Sequence, residues 1–179
     1  MGMSGHAMML DCKDLSIEDA PIPPHLSLFI VNSNVKRGLV DSEYNLRREQ
    51  CEQVAEFFNC EALREVSLSQ LEAHQSQLSD ELYRRARHVI SENERVLAAL
   101  QALKNNDIAV LSQLMKESHQ SLRDDFNVTT KELDGLVEII ANVIGSKGGV
   151  RMTGGGFGGC VVAIVPTSMV EQLSHVVKE

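Results

Sequence analysis

The 179-residue chain sets 17 lysines and arginines against 25 aspartates and glutamates, a net charge of −8. That balance argues against a nucleic-acid partner, because phosphate backbones reward clustered cations, although a small phosphorylated ligand at one local site stays open. The length suits a single domain with a proper core, no stretch approaches the roughly 18 apolar residues of a membrane helix, and the start MGMSGH lacks the basic and apolar regions of a secretion signal.

The four cysteines, Cys12, Cys51, Cys60 and Cys160, have no CxxC spacing. They read as buried, core-filling thiols in a reducing compartment, so a cytoplasmic protein is expected. In chain order, AMMLDC (residues 7–12) predicts a short edge strand. A polar connection ending in PIPP (residues 21–24) follows, where prolines exclude helix. LSLFIV, residues 26–31, is apolar on both parities, which predicts a strand covered on both faces.

From residue 41 to residue 144 the pattern is helical. Cys51, Val54, Ala55 and Phe58 form one stripe, continued toward the N-terminus by Tyr44, Arg47 and Arg48. Ser67 and Gln70 have capping-box spacing ahead of a short helix. Residues 79–103 keep one apolar face over about 36 Å of helix. NND (residues 105–107) predicts a turn and a helix start. Thr129 with Glu132 predicts another capping box, and Gly145 sits where a helix C-cap wants a left-handed residue. GVRMT and CVVAIVP then read as strands, and residues 167–178 as a closing helix.

Residues 148–159, from just before the first of those strands to the start of the second, hold seven glycines. Gly154-x-Gly156-x-x-Gly159 formally meets the dinucleotide fingerprint, but a strand follows it where the fingerprint needs a helix N-terminus. A Walker A loop is excluded too, since no GK[ST] occurs. One reading is a tight turn whose positive φ angles need no ligand. The other is a backbone surface bare of side chains, open to a sugar or phosphate, with Lys147 and Arg151 nearby as candidate charges. Arg47 and Arg48 read as helix charges, one of which could orient a cleft. Asp124 and Asp125 tempt an acid/base or metal reading, yet loop capping ahead of a helix entry at residues 126–129 is the simpler one. The six histidines show no metal-ligand spacing.

RMTGGGFGGCVVAIVP resembles the third motif of the GHMP small-molecule kinases. Residues 32–52 (NSNVKRGLVDSEYNLRREQCE) and 118–141 (SHQSLRDDFNVTTKELDGLVEIIA) are similar to the galactokinase branch of that family, and the three stretches are collinear. The resemblance implies an α+β fold: one domain over 1–179 with a ferredoxin-like split βαβ sheet, an inserted set of helices and the last strand missing. It implies phosphoryl transfer from ATP, with Mg²⁺, to the anomeric hydroxyl of D-galactose in the complete enzyme. Tyr44 maps to a sugar contact, and Gly154, Gly155, Gly156, Gly158 and Gly159 to the active-site cleft.

The catalytic aspartate, phosphate loop and transition-state arginine of that family have no counterpart here. The expectation is therefore a C-terminal lobe without its N-terminal, ATP-binding partner, with no catalytic residue or metal site of its own. Such a chain would be inactive alone, would hold no tightly bound cofactor, and would self-associate through the exposed strand 26–31. A stand-alone sugar-sensing or regulatory module, and one half of a two-chain enzyme, are the alternatives.

Overall fold

The structure, a computed structural model, describes residues 3–35 and 40–178, with side chains from residue 42 onward in the second stretch. Residues 36–39 of the 32–52 motif lie outside the described residues.

The apolar strands form as the alternation requires. β3 (Leu26–Asn32), β4 (Gly149–Thr153) and β5 (Cys160–Pro166) build an antiparallel sheet in the order β3-β5-β4. Register runs from Leu26↔Pro166 to Asn32↔Cys160 on one side of β5, and from Gly149↔Ile164 to Thr153↔Cys160 on the other. This is the order of the first three strands of a split βαβ sheet. One face carries Val150, Met152, Val161, Ala163 and Val165 against α5 (Lys131–Ile144) and α6 (Val170–Val176), with Leu133, Ile140 and Leu173 fully buried between them.

The other face meets the helical insertion. α3 (Asp80–Lys104) and α4 (Ile108–Ser121) pack as an antiparallel pair, and Leu100, Leu103 and Leu111 join Leu26 and Ile164 in a second cluster. α1 (Val40–Phe57) and α2 (Leu68–Ala73) close a third around Val54, Leu71 and Ala86. Local signals set these ends. Ser67 and Gln70 form the expected reciprocal capping box, Ser79 and Asp107 cap α3 and α4, and Gly145 ends α5 at φ +55°.

Several expectations are corrected. The connection before PIPP contains a strand, β2 (Ile17–Pro21), which pairs with β1 (His6–Leu10) and buries Ala20 completely. IEDAP has little strand preference of its own, so partner pairing and that one buried alanine decide its state. Beyond the buried Leu26, β3 is covered on one face only: Phe29 and Val31 join the core, while Leu28 and Ile30 are 56% and 64% exposed. The N-cap of α5 is Thr130, whose hydroxyl accepts from the Leu133 N–H, and not Thr129. Cys12 is exposed, and the other three cysteines are only half-buried. Among the described residues no helix is long and apolar enough to cross a membrane.

Candidate functional site

Four segments meet at one end of the three-stranded sheet: the exit of β3, the first turns of α1, the turn that follows α4, and the glycine loop between β4 and β5. The loop is set by backbone. Gly154, Gly156, Gly158 and Gly159 have φ of +86°, +84°, +121° and +93°, and Phe157 joins them at +55°. The Phe157 N–H donates to the Val128 carbonyl (2.7 Å), and the Ser33 N–H donates to the Gly159 carbonyl (2.8 Å). Gly156 therefore lies directly on Val128. Gly155 differs, with ordinary φ and open space on its Cβ side. The nearest atom to a Cβ built there would be Tyr44 Cδ2, at 4.0 Å.

Tyr44 is 54% exposed. The structure thus brings Tyr44 and the glycine loop together, an aromatic ring beside bare backbone. The basic neighbours do not join them. Lys147 sits before β4, about 16 Å of strand away from the loop. Arg151 turns to Glu92 on α3 (2.9 Å) and to the Met152 carbonyl.

The two arginines of α1 separate. Arg48 is exposed and pairs with Glu52 four residues on (2.7 Å). Arg47 is buried, and its Nε and Nη2 donate to the carbonyls of Phe126 (2.7 Å) and Asn127 (3.2 Å). Its guanidinium carbon lies 5.8 Å from the centroid of the Phe157 ring.

The paired aspartates also fall differently from expectation. They lie in a π-helical turn, Leu122–Phe126, that extends α4 and does not enter the next helix. Asp124 pairs with Arg123 (2.8 Å), which holds its carboxyl below the usual range, and Arg84 donates to its carbonyl. Asp125 is buried; it takes the guanidinium of Arg87 and the hydroxyl of Ser121 (2.9 Å), while Arg85 donates to its carbonyl. The Ser121 hydroxyl proton is committed to Asp125, so His88 Nδ1–H must donate to Ser121 Oγ (3.0 Å). Burial pushes the His88 imidazole down to about 4 and keeps it neutral. This His–Ser–Asp series is a structural brace: the serine stands between its partners and carries no free lone proton for a base to remove.

His119 is a second buried histidine. It accepts the Met152 N–H on Nδ1 (3.3 Å) and faces Asp134 Oδ1 at 3.2 Å from Nε2, inside a groove of about 640 Å³ between α4 and α5. Burial lowers its pKa, with Asp134 opposing. The contacts of Arg47, Asn127, Val128 and Phe157 were not read as a unit from sequence; only the positive charge of Arg47 pointed there.

Residues 99–179 match the family model described as GHMP kinases C terminal. Within the chain, those residues carry the C-terminal domain of the GHMP kinases. It is similar to galactokinase of Lactococcus lactis, whose crystal structure was solved complexed with galactose. The TM-score is 0.89 at 33% identity, over 97% of this chain and 46% of that one. Mevalonate kinase of L. major, in complex with R-mevalonate, shares the fold at TM-score 0.53 and 19% identity, over 97% of this chain and 43% of that one. The chain thus spans less than half the length of either enzyme.

Proposed function

We propose that this chain forms the sugar-side wall of a galactokinase, an enzyme that moves the γ-phosphoryl of ATP to the anomeric hydroxyl of D-galactose. The observation that carries this reading is the placement of Tyr44 beside Gly155, with open space between the ring and the bare backbone. A half-exposed phenol beside side-chain-free backbone offers a hydroxyl donor and acceptor next to a surface that a pyranose ring can approach closely. Resemblance to the galactose-bound bacterial enzyme over nearly the whole chain supports it.

In this reading Tyr44 hydrogen-bonds a sugar hydroxyl and fixes the ring. Gly155 keeps the floor beside Tyr44 free of a side chain, while Gly154, Gly156, Gly158 and Gly159 give the loop the positive φ angles that hold it there. In this reading ATP and Mg²⁺ are held mainly by groups outside these residues: Lys147 lies before β4, at the far end of the strand from the loop, and Arg151 pairs with Glu92. No step of the transfer is therefore assigned to this chain's own groups. Phosphoryl transfer rests on positioning and on charge stabilisation by phosphate loop, metal and cation. Those parts belong, in this reading, to a second lobe.

The test is a coupled ADP-release assay with galactose, ATP and Mg²⁺ on purified 1–179, beside a galactokinase that contains both lobes. The expected result is galactose-dependent turnover in the two-lobe enzyme only. Turnover by 1–179 within a hundredfold of that control would require a catalytic base within these residues and would sink the two-lobe reading.

A further inference from the structure

We propose that Arg47 is a positioning residue that locks the Tyr44 helix to both turns of the sugar wall; its kinetic consequence rests on the galactokinase reading above. Two backbones beside Arg47 are unusual. Asn127 and Phe157 are both left-handed, at φ +59° and +55°. Asparagine visits this region readily, but for a bulky side chain such as phenylalanine it is an outlier. Such conformations persist only where their surroundings hold them, and they gather at functional sites.

Arg47 touches both. Its Nη2 donates to the Asn127 carbonyl, and its guanidinium faces the Phe157 ring. A second hydrogen bond, from Nε to the Phe126 carbonyl at 2.7 Å, makes the grip bidentate across one peptide, and Glu43 closes the remaining nitrogen at 3.5 Å. The side chain is only 7% exposed. Tyr44 lies three residues earlier on α1, on the same face. One planar fork therefore fixes the separation between Tyr44, the turn that bears Val128, and the loop whose Phe157 amide bonds to Val128. Lysine cannot replace it, because a single ammonium lacks the fork that spans two carbonyls and the flat face that meets a ring.

On the 179-residue chain the test is amide hydrogen exchange in Arg47→Lys and Arg47→Ala, with Arg48→Lys as the same kind of change on the exposed neighbour. The Phe157 amide should exchange at least tenfold faster in both Arg47 variants. Amides in the middle of α3 and α4 should keep their rates, and Arg48→Lys should change nothing. Should the alanine variant not fold, the lysine variant decides, since it keeps the charge and the stem. Adding Asn127→Gly to Arg47→Lys supplies a residue that takes positive φ without strain, and should recover at least threefold of the lost protection. Unchanged exchange at Phe157, or an acceleration spread evenly over the chain, overturns the assignment.

In an enzyme containing these residues, Arg47→Lys should raise the galactose KM at least tenfold and leave the ATP KM in place. A lowered kcat with both KM values unchanged would overturn the link to the sugar wall. If the wild-type enzyme turned over no galactose, the galactokinase reading would fail, and the exchange measurement would still decide the role of Arg47.

Discussion

Gly156 and Val128 touch backbone to backbone: a Cβ built on Gly156 would stand 2.3 Å from the Val128 carbonyl oxygen and 2.6 Å from the Val128 Cβ. The glycine stretch thus divides by position. Gly156 serves close packing at φ +84°, while Gly155 faces open space beside Tyr44. Gly156→Ala should therefore lose about 2 kcal/mol or more, since strain and a backbone clash act together. In a domain of this size that is a fall of roughly 5 °C in Tm. Gly155→Ala should stay within about 0.5 kcal/mol of wild type. In an active enzyme Gly156→Ala should also lower activity at least tenfold, about 1.4 kcal/mol of barrier. Equal Tm values for the two variants would refute the division.

Tyr44→Phe tests the sugar contact without disturbing the fold, because the side chain is more than half exposed and its ring is kept. One neutral hydrogen bond is worth about 1 kcal/mol, or roughly fivefold in binding. The galactose KM should rise by about that factor, or sugar selectivity relax, with the ATP KM and Tm unchanged. An effect confined to ATP would move Tyr44 off the sugar.

What could be read from the sequence was local. β4 and β5, the Ser67–Gln70 box, the helix start after residues 105–107 and the Gly145 C-cap each rest on residues within a few positions of one another, and they appear where expected. β2 was missed because its stability comes from pairing with β1 and from Ala20. Thr129 and Thr130 are equally good caps in isolation; the left-handed Asn127 and the buried Val128 decide between them by fixing where the chain re-enters helix. The burial of Arg47 and Asp125 escaped for a similar reason. A charged side chain is buried only when partners meet it, and those of Arg47 lie 79 and 80 residues away. The approach of Tyr44 to the glycine loop was likewise invisible to periodicity, and only the resemblance suggested it.

Stability should fall as the solution is acidified below neutrality. His88 is neutral in the fold because burial lowers its pKa from 6.5 to about 4, and burial lowers His119 as well. Between those values the unfolded chain binds more protons than the folded one, so stability rises with pH through that window and is complete above about 6.5. His88 alone sets a loss of roughly 2 kcal/mol between pH 7.5 and 5 as an order of magnitude. Urea midpoints at the two pH values measure it. His88→Gln keeps a donor for Ser121 and removes the titration, so its midpoint should depend less on pH. A wild-type midpoint that is flat over this range would contradict the neutral buried pair.

Self-association should run through β3. Its inner edge is fully paired with β5, and no strand lies along its outer edge among the described residues. About half of its N–H and C=O groups therefore face outward, and the exposed Leu28 and Ile30 flank them with apolar surface. Nothing on this short strand guards the edge: LSLFIVN has no charge, no proline and no bulge. Two copies meeting edge to edge in antiparallel register would extend the sheet across a two-fold axis, an arrangement that closes as a dimer. Light scattering should show mass rising with concentration, and alternate β3 amides should gain exchange protection only at the high end. Ile30→Lys places a charge on the edge, as natural sheets do to stay apart, and should return the chain to a monomer without loss of Tm. A monomer at every concentration would refute the self-association, and an association that Ile30→Lys leaves intact would place the contact elsewhere on the molecule.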